Sequence, residues 1–289
     1  MLTNLLRLIF IFAITGCASK AIQTQQILSD RNSFPNSALI EKVPFIDQSV
    51  GYCGPATLTM AMQYAGHRVD VEDIAKQVYT PGFRGSLQTH MISASRRQGL
   101  NAIPIHDLSS LLKEITAGNP VILFENLGLT WMPQWHYALA LGYDLQKQEV
   151  ILHSGHDAYD RTDMSVFERS WMLGDYWGLV VLPAGKLAAS AGEIAHATAA
   201  VGLEQSNMLT EAEVSYRAIL RKWPTSLVAL IGLSNLTFQK SQYQETVSLL
   251  KLATKNHPES DAAKHNLSIA EDKAKHPKAL NIKDPNARK

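Results

Sequence analysis

The chain carries only two cysteines in 289 residues, Cys17 and Cys53, so it holds no framework of disulfides and no cysteine-rich metal module. Charge of one sign is missing too: 27 basic residues against 26 acidic ones leave a formal net charge of +1. That balance removes the broad electrostatic attraction behind nucleic-acid binding, and no nucleic-acid partner is expected. A glycine-rich loop able to cradle a nucleotide phosphate is absent. Beyond the first seventeen residues no apolar run approaches the length that spans a bilayer. What remains is a globular composition, 46% hydrophobic and 18% charged, at a length that favours two domains.

Residues 1–17 are a targeting segment. Arg7 is the single charge before Cys17, and Leu8–Ile14 is an unbroken apolar run, too short for a permanent span but suited to a signal-peptide core. The stretch Ile14-Thr15-Gly16-Cys17 resembles a bacterial lipobox, which implies lipidation of Cys17 as the first residue of the mature protein. An ordinary cleaved signal with an incidental cysteine is the alternative. Ala18 and Ser19 follow with no aspartate at the second position. By resemblance to Gram-negative lipoprotein sorting, that implies the outer membrane and its periplasmic face, with the membrane contact made by lipid. Cys53 is then without a partner, and a lone thiol in an oxidising compartment is either buried or used. A Cys17–Cys53 disulfide arises only if the lipid reading fails.

Residues 18–40 are polar and without sustained period, and read as a tether, although a short strand-like stretch opens at Ala38. Helical signals come next. Pro55 occupies the first turn of an apolar segment, Gly54–Ala65, that Gly66 stops; a helix apolar nearly all round is a buried central one. Further helices are expected over Val71–Val78, Ser86–Gln98 and Leu108–Ala117. The period then changes to four short apolar runs, Val121–Phe124, Tyr137–Tyr143, Glu149–His153 and Gly178–Leu182. Turn-prone segments, Asp144–Gln148 and Ser154–Arg161 among them, separate these runs. Helices followed by strands give an α+β domain with a mostly antiparallel sheet, placed at 41–186.

Residues 187–276 read as all-helical. Ala212, Tyr216, Ile219 and Pro224 recur in kind as Thr246, Leu250, Ala253 and Pro258, thirty-four residues later. The pattern resembles the tetratricopeptide repeat, in two units near 193–226 and 227–260 with a capping helix at Asp261–Lys275. The resemblance implies a protein partner. Residues 277–289 complete a basic, solvated tail.

The chemistry concentrates at Gln48-Ser49-Val50-Gly51-Tyr52-Cys53-Gly54-Pro55-Ala56. A thiol at the start of a helix lies near the positive end of the macrodipole, which favours the nucleophilic thiolate. The Cys53 backbone N–H and the amide of Gln48 are candidate oxyanion donors. A base should come from a distant histidine, and His136 opens the apolar strand Trp135–Asp144. Trp131 and Trp135, on either side of a Met-Pro-Gln turn, are candidate cleft walls. His153, His156, Asp157 and Asp160 invite a metal reading, but they lie in a turn and lack further ligands at a defined spacing, so no metal is assigned.

Together the Cys53 segment and the His136 strand resemble the papain-like cysteine peptidases that bacteriocin exporters use to cut leader peptides after a double glycine. More narrowly, the chain is similar to stand-alone proteobacterial lipoproteins of that type with a C-terminal tetratricopeptide region. The resemblance covers roughly Glu41 to Lys186. It implies a papain-like fold, Cys53 as nucleophile, His136 as general base, Gln48 as oxyanion donor, a peptide or protein substrate, and no cofactor. The family usually has an Asp-Pro pair on the next strand to orient the histidine, and here the place reads His153-Ser154-Gly155. Ser154 supplies no charge to an imidazolium. Asp157, or less readily Asp144, could stand in as the third member from a loop. An inactive papain-like scaffold that binds peptides, and transfer of the transglutaminase kind from the same Cys–His pair, are the alternatives.

Overall fold

The computed structural model describes residues 20–48 and 51–276; Cys17 and the tail 277–289 lie outside them. Helix α1 (Ile22–Ser29) and strand β1 (Ser37–Leu39) open the described chain. They correct the expectation that 18–40 is a structureless tether. The Glu168 carboxylate accepts from the backbone N–H groups of Gln23 and Thr24 at 2.9 and 2.6 Å, and Gln23 Oε1 accepts from the Leu108 N–H at 2.6 Å. Two of the unsatisfied donors of the helix start are thereby paired with a charge that favours that end of the dipole. Ile27 reaches the core. A helix pinned at one end by distant polar partners leaves little periodic trace in its own sequence.

Helix α2 (Cys53–Tyr64) runs through the core, with every residue from Gly54 to Met62 buried. Helix α3 (Val71–Val78) follows, and then a small hairpin of β2 (Tyr79–Thr80) and β3 (Gly85–Ser86). Helix α4 spans Gln88–Arg97, two residues later than its sequence suggested, because Ser86 pairs with Tyr79 instead. Strand β4 (Leu100–Ile105) and helix α5 (Leu108–Thr116) lead into the sheet.

The remaining strands are β5 (Val121–Asn126), β6 (Trp135–Asp144), β7 (Glu149–Ser154), β8 (Asp157–Asp163) and, after helix α6 (Met164–Met172), β9 (Gly178–Pro183). They lie in the order β4-β9-β5-β6-β7-β8, every neighbouring pair antiparallel. Strand β1 takes the part of the β6 edge that β5 leaves open, pairing Ala38 with Tyr143. The close approach depends on Gly142, where a Cβ would fall 2.7 Å from the Ala38 carbonyl oxygen. Two strands depart from the sequence reading. In β4, Asn101 and Pro104 interrupt the apolar run, and the proline is tolerated because β4 is an edge strand. In β8, taken as a turn between strands, four of seven residues are charged and the strand forms the opposite, exposed edge.

Beyond β9 come helices α7 (Glu193–Gln205), α8 (Leu209–Lys222), α9 (Leu227–Gln239), α10 (Tyr243–Asn256) and α11 (Asp261–Lys275). The starts of α7, α9 and α11 are thirty-four residues apart, as are those of α8 and α10. Ala212, Tyr216 and Ile219 are buried, and so are their counterparts Thr246, Leu250 and Ala253. The helical region leans on the β4 edge, where Asn101 Nδ2 donates to Ser215 Oγ at 3.2 Å. Among the described residues no helix is long and apolar enough to cross a membrane.

Candidate active site

Cys53 is the first residue of α2, and its half-buried sulfur faces strand β6. The backbone N–H groups of Tyr137, Gly54 and Cys53 itself act on the sulfur in the sense that favours thiolate. Burial is the larger influence, and it pushes the thiol above its ordinary value. The sequence argument weighed the helix terminus and not the desolvation. Desolvation thus opposes the thiolate that the helix terminus favours.

His136 is the second residue of β6, immediately before the Tyr137 N–H that points to the sulfur. Burial pushes the imidazole below its ordinary value. Both shifts favour the uncharged forms of the two groups, which line one cavity.

Ser154 holds the back of the ring, with its Oγ 3.0 Å from His136 Nε2. Asp157 does not fill this place; it is exposed, pairs across β7 and β8 with Ser154, and makes no hydrogen bond to the ring. Asp144 sits at the far end of β6, where its Oδ1 accepts from the Gln146 and Lys147 N–H groups. The third position belongs to the serine. A hydroxyl both donates and accepts, so alone it does not fix which ring nitrogen carries the proton.

Gln48 is 5% exposed, and among the described residues neither atom of its amide has a hydrogen-bond partner. Its backbone N–H donates to the Gly155 carbonyl at 3.1 Å, which ties the segment to the β7–β8 turn. An unpaired buried amide costs about 1–3 kcal/mol, and such groups call for a partner that arrives later. Gln48, Cys53, Ser86, Phe124, Trp135 and His136 line one cavity of about 530 Å³. The buried Ser86 hydroxyl is also unpartnered. It lies so close to the helix start that a Cβ on Gly54 would fall 2.5 Å from it.

Trp135 stacks on Phe124 at 5.0 Å and forms a wall of the cleft. Trp131 does not; it stands 78% exposed on the preceding turn, outside the cavity lining. His153 is a core residue, its Nε2 3.4 Å from the Val43 carbonyl and its Nδ1 accepting from the Tyr159 N–H at 3.1 Å. His156 faces away to Asp47 at 2.8 Å, so the two histidines share no ligand position. Ser86 and Phe124 were not singled out in the sequence, nor was Glu125, the buried acid that follows Phe124. Only Glu125 left a signal there, as a lone charge on the end of the apolar run Val121–Phe124.

Residues 40–175 match the model of the Peptidase_C39-like family. Three solved structures are similar to part of the chain. A C39-like peptidase from Bacillus anthracis shares 19% identity at a TM-score of 0.44, covering 53% of this chain and all of its own. A double glycine motif protease from an AMS/PCAT transporter, solved with the leader peptide, shares 21% at 0.39 over 50% of this chain and 96% of that one. The peptidase domain of Streptococcus ComA, a bifunctional ABC transporter involved in quorum sensing, shares 16% at 0.40 over 49% and 98%. No curated protein matches.

Proposed function

We propose that residues 40–175 hydrolyse peptide bonds through a thioester on Cys53. As substrate enters, His136 takes the Cys53 proton and the sulfur attacks the peptide carbonyl carbon. Gln48 Nε2 and the Cys53 backbone N–H receive the oxyanion. His136 then returns its proton to the departing amine, leaving the acyl group on sulfur. Water, losing a proton to His136, cleaves the thioester to the acid, and the thiol regains the proton. A neutral resting pair suits this sequence, because charge separation then accompanies bond formation.

The observation that supports the reading best is the unpaired Gln48 amide, buried in the same cavity as the sulfur and the imidazole. Desolvated and uncommitted, it is complementary to an oxyanion and to nothing present in the resting cleft. The substrate class is a peptide or unfolded protein segment, since the cleft wall is mainly apolar, with Phe83, Leu87, Phe124 and Trp135, and carries one charged side chain, Arg84. The pairs α7–α8 and α9–α10 are read as tetratricopeptide-like units that hold a protein partner or the substrate. Lipid on Cys17 would present the domain at the periplasmic face of the outer membrane.

A peptide-aldehyde library resolved by mass spectrometry tests the activity. A reversible adduct on Cys53 in the wild type, lost in Cys53→Ser and weakened in His136→Ala, is the expected result. The second reading, a papain-like scaffold without turnover, is favoured by the uncharged Ser154. Peptides that bind without any adduct, with an alkylation rate at Cys53 indifferent to His136→Ala, would establish it instead.

A further inference from the structure

A second cavity of about 400 Å³, which Cys53 and His136 do not line, has Glu125, Ser154, Asp160, Arg169 and Ser170 in its wall. Glu125 is the cross-strand partner of His136 in the β5–β6 register. Residues directly opposite in an antiparallel pair point to the same face with their Cβ atoms about 5 Å apart. Ser154 therefore belongs to both groups: it touches the His136 ring and opens onto the cavity that holds the carboxyl. The acid is 3% exposed, and Ser170 Oγ donates to its Oε1 at 2.6 Å. Among the described residues its Oε2 accepts no hydrogen bond. A buried acid across the strand pair from a histidine whose partner lacks charge is an arrangement with a purpose to account for.

We propose that Glu125 is the positioning residue that supplies, through Ser154, the negative charge His136 otherwise lacks. The inference rests on the peptidase reading above. Ser154 Oγ accepts from His136 Nε2–H, and its own proton is given across the cavity to Glu125 through one water. The chain of hydrogen bonds then runs in a single direction, and Nδ1 keeps its lone pair for the Cys53 proton. If the carboxyl is neutral, it can donate to Ser154, and the serine can donate to Nε2. The proton on the ring is then forced to Nδ1, the wrong side for a base.

The surroundings allow the switch within the working range of pH. Burial pushes the Glu125 carboxyl up to about 7, Asp160 adds to the rise, and Ser170 opposes it. The charged or titratable groups around it are His136 from β6, Asp160 from β8 and Arg169 from α6. An imidazolium formed in turnover draws the carboxyl toward its ionised form, so the two sites titrate as a pair.

The test measures alkylation of Cys53 by iodoacetamide from pH 5.5 to 9 in the full chain, with 15N shifts of the His136 ring reporting its tautomer. Glu125→Gln keeps the shape and the acceptor for Ser170. It should slow the His136-dependent rate on the order of tenfold, a part of the 10²–10⁴-fold that a general base contributes. It should also remove the step near pH 7 and shift the ring toward the Nδ1–H form. Ser154→Asp in the Glu125→Gln background places charge directly on the ring and should restore the rate. A Glu125→Gln rate, pH profile and tautomer equal to wild type would overturn the inference while leaving the peptidase reading standing, provided the rate still depends on His136. Loss of rate with no rescue and no change in tautomer would make Glu125 a structural acid and overturn it as well. Wild-type and His136→Ala rates that coincide would remove the peptidase reading and this inference together.

Discussion

The Tyr137 hydroxyl donates to the Ser86 carbonyl at 3.0 Å, and so the strand that carries His136 holds the hairpin that walls the cleft. Tyr137 is buried, and its ring packs against Phe124 and Trp177. Tyr137→Phe removes the donor and leaves the ring, at a cost of about 1 kcal/mol for one neutral hydrogen bond. The hairpin should loosen before the domain does. Limited trypsin digestion should cut faster after Arg84, an exposed left-handed residue at the hairpin tip. An unchanged cutting rate would mean that the bond does not restrain β2–β3.

Gln48→Ala should separate stability from activity. The variant deletes an amide that is buried without partners, so thermal melting should stay level or rise slightly. Turnover of a susceptible peptide should fall about 10²–10³-fold, the usual cost of one oxyanion donor. A parallel loss of melting temperature and activity would identify Gln48 as a structural residue.

Glu125 also carries a stability signature that does not depend on catalysis. Its folded value is raised from 4.5 to about 7 by burial. The sign follows from linkage: the folded state prefers the neutral acid, so this contribution is complete below pH 4.5 and is lost as pH climbs to 7. Glu125→Gln never ionises. Its advantage over wild type in urea unfolding should be near zero at pH 4 and grow to roughly 3 kcal/mol above pH 7. A difference independent of pH would show that the carboxyl titrates alike in the folded and unfolded states, so that burial does not raise it.

At the start of α2, Gly54→Ala introduces a methyl group 2.5 Å from Ser86 Oγ and 2.7 Å from Ser86 Cβ. The contact involves Cβ, so rotating the hydroxyl does not relieve it. Displacement of β3 should narrow the cleft and slow capture of a peptide aldehyde, with a destabilisation of about 1–3 kcal/mol for overpacking. Adding Ser86→Gly should recover much of both.

The sequence was readable where one element carried its own signal. Helix α2 showed its proline, its apolar girth and its stopping glycine, and β6 showed an uninterrupted apolar run. The Cys53, His136 and Gln48 positions were accessible for the same reason, since each belongs to a short motif with a physical purpose. Features that depend on distant partners were hidden. Helix α1 takes its caps from Glu168, β8 is a charged edge strand defined by β7, and Ser86 enters the cleft only because Tyr79 pairs with it. The desolvation of Cys53 was hidden too, because it is a property of packing and does not appear in residue spacing.

The docking of α1 also alters how the enzyme would meet a bilayer. With lipid on Cys17, a loose segment out to residue 40 would have given a leash of roughly 80 Å at full stretch. Anchoring of Ile22–Ser29 to Glu168 and Leu108 leaves only four residues between the acyl chains and the folded body, a reach of about 14 Å at most. With such an anchor, the folded body would be held against the lipid headgroups and not at the end of a long leash.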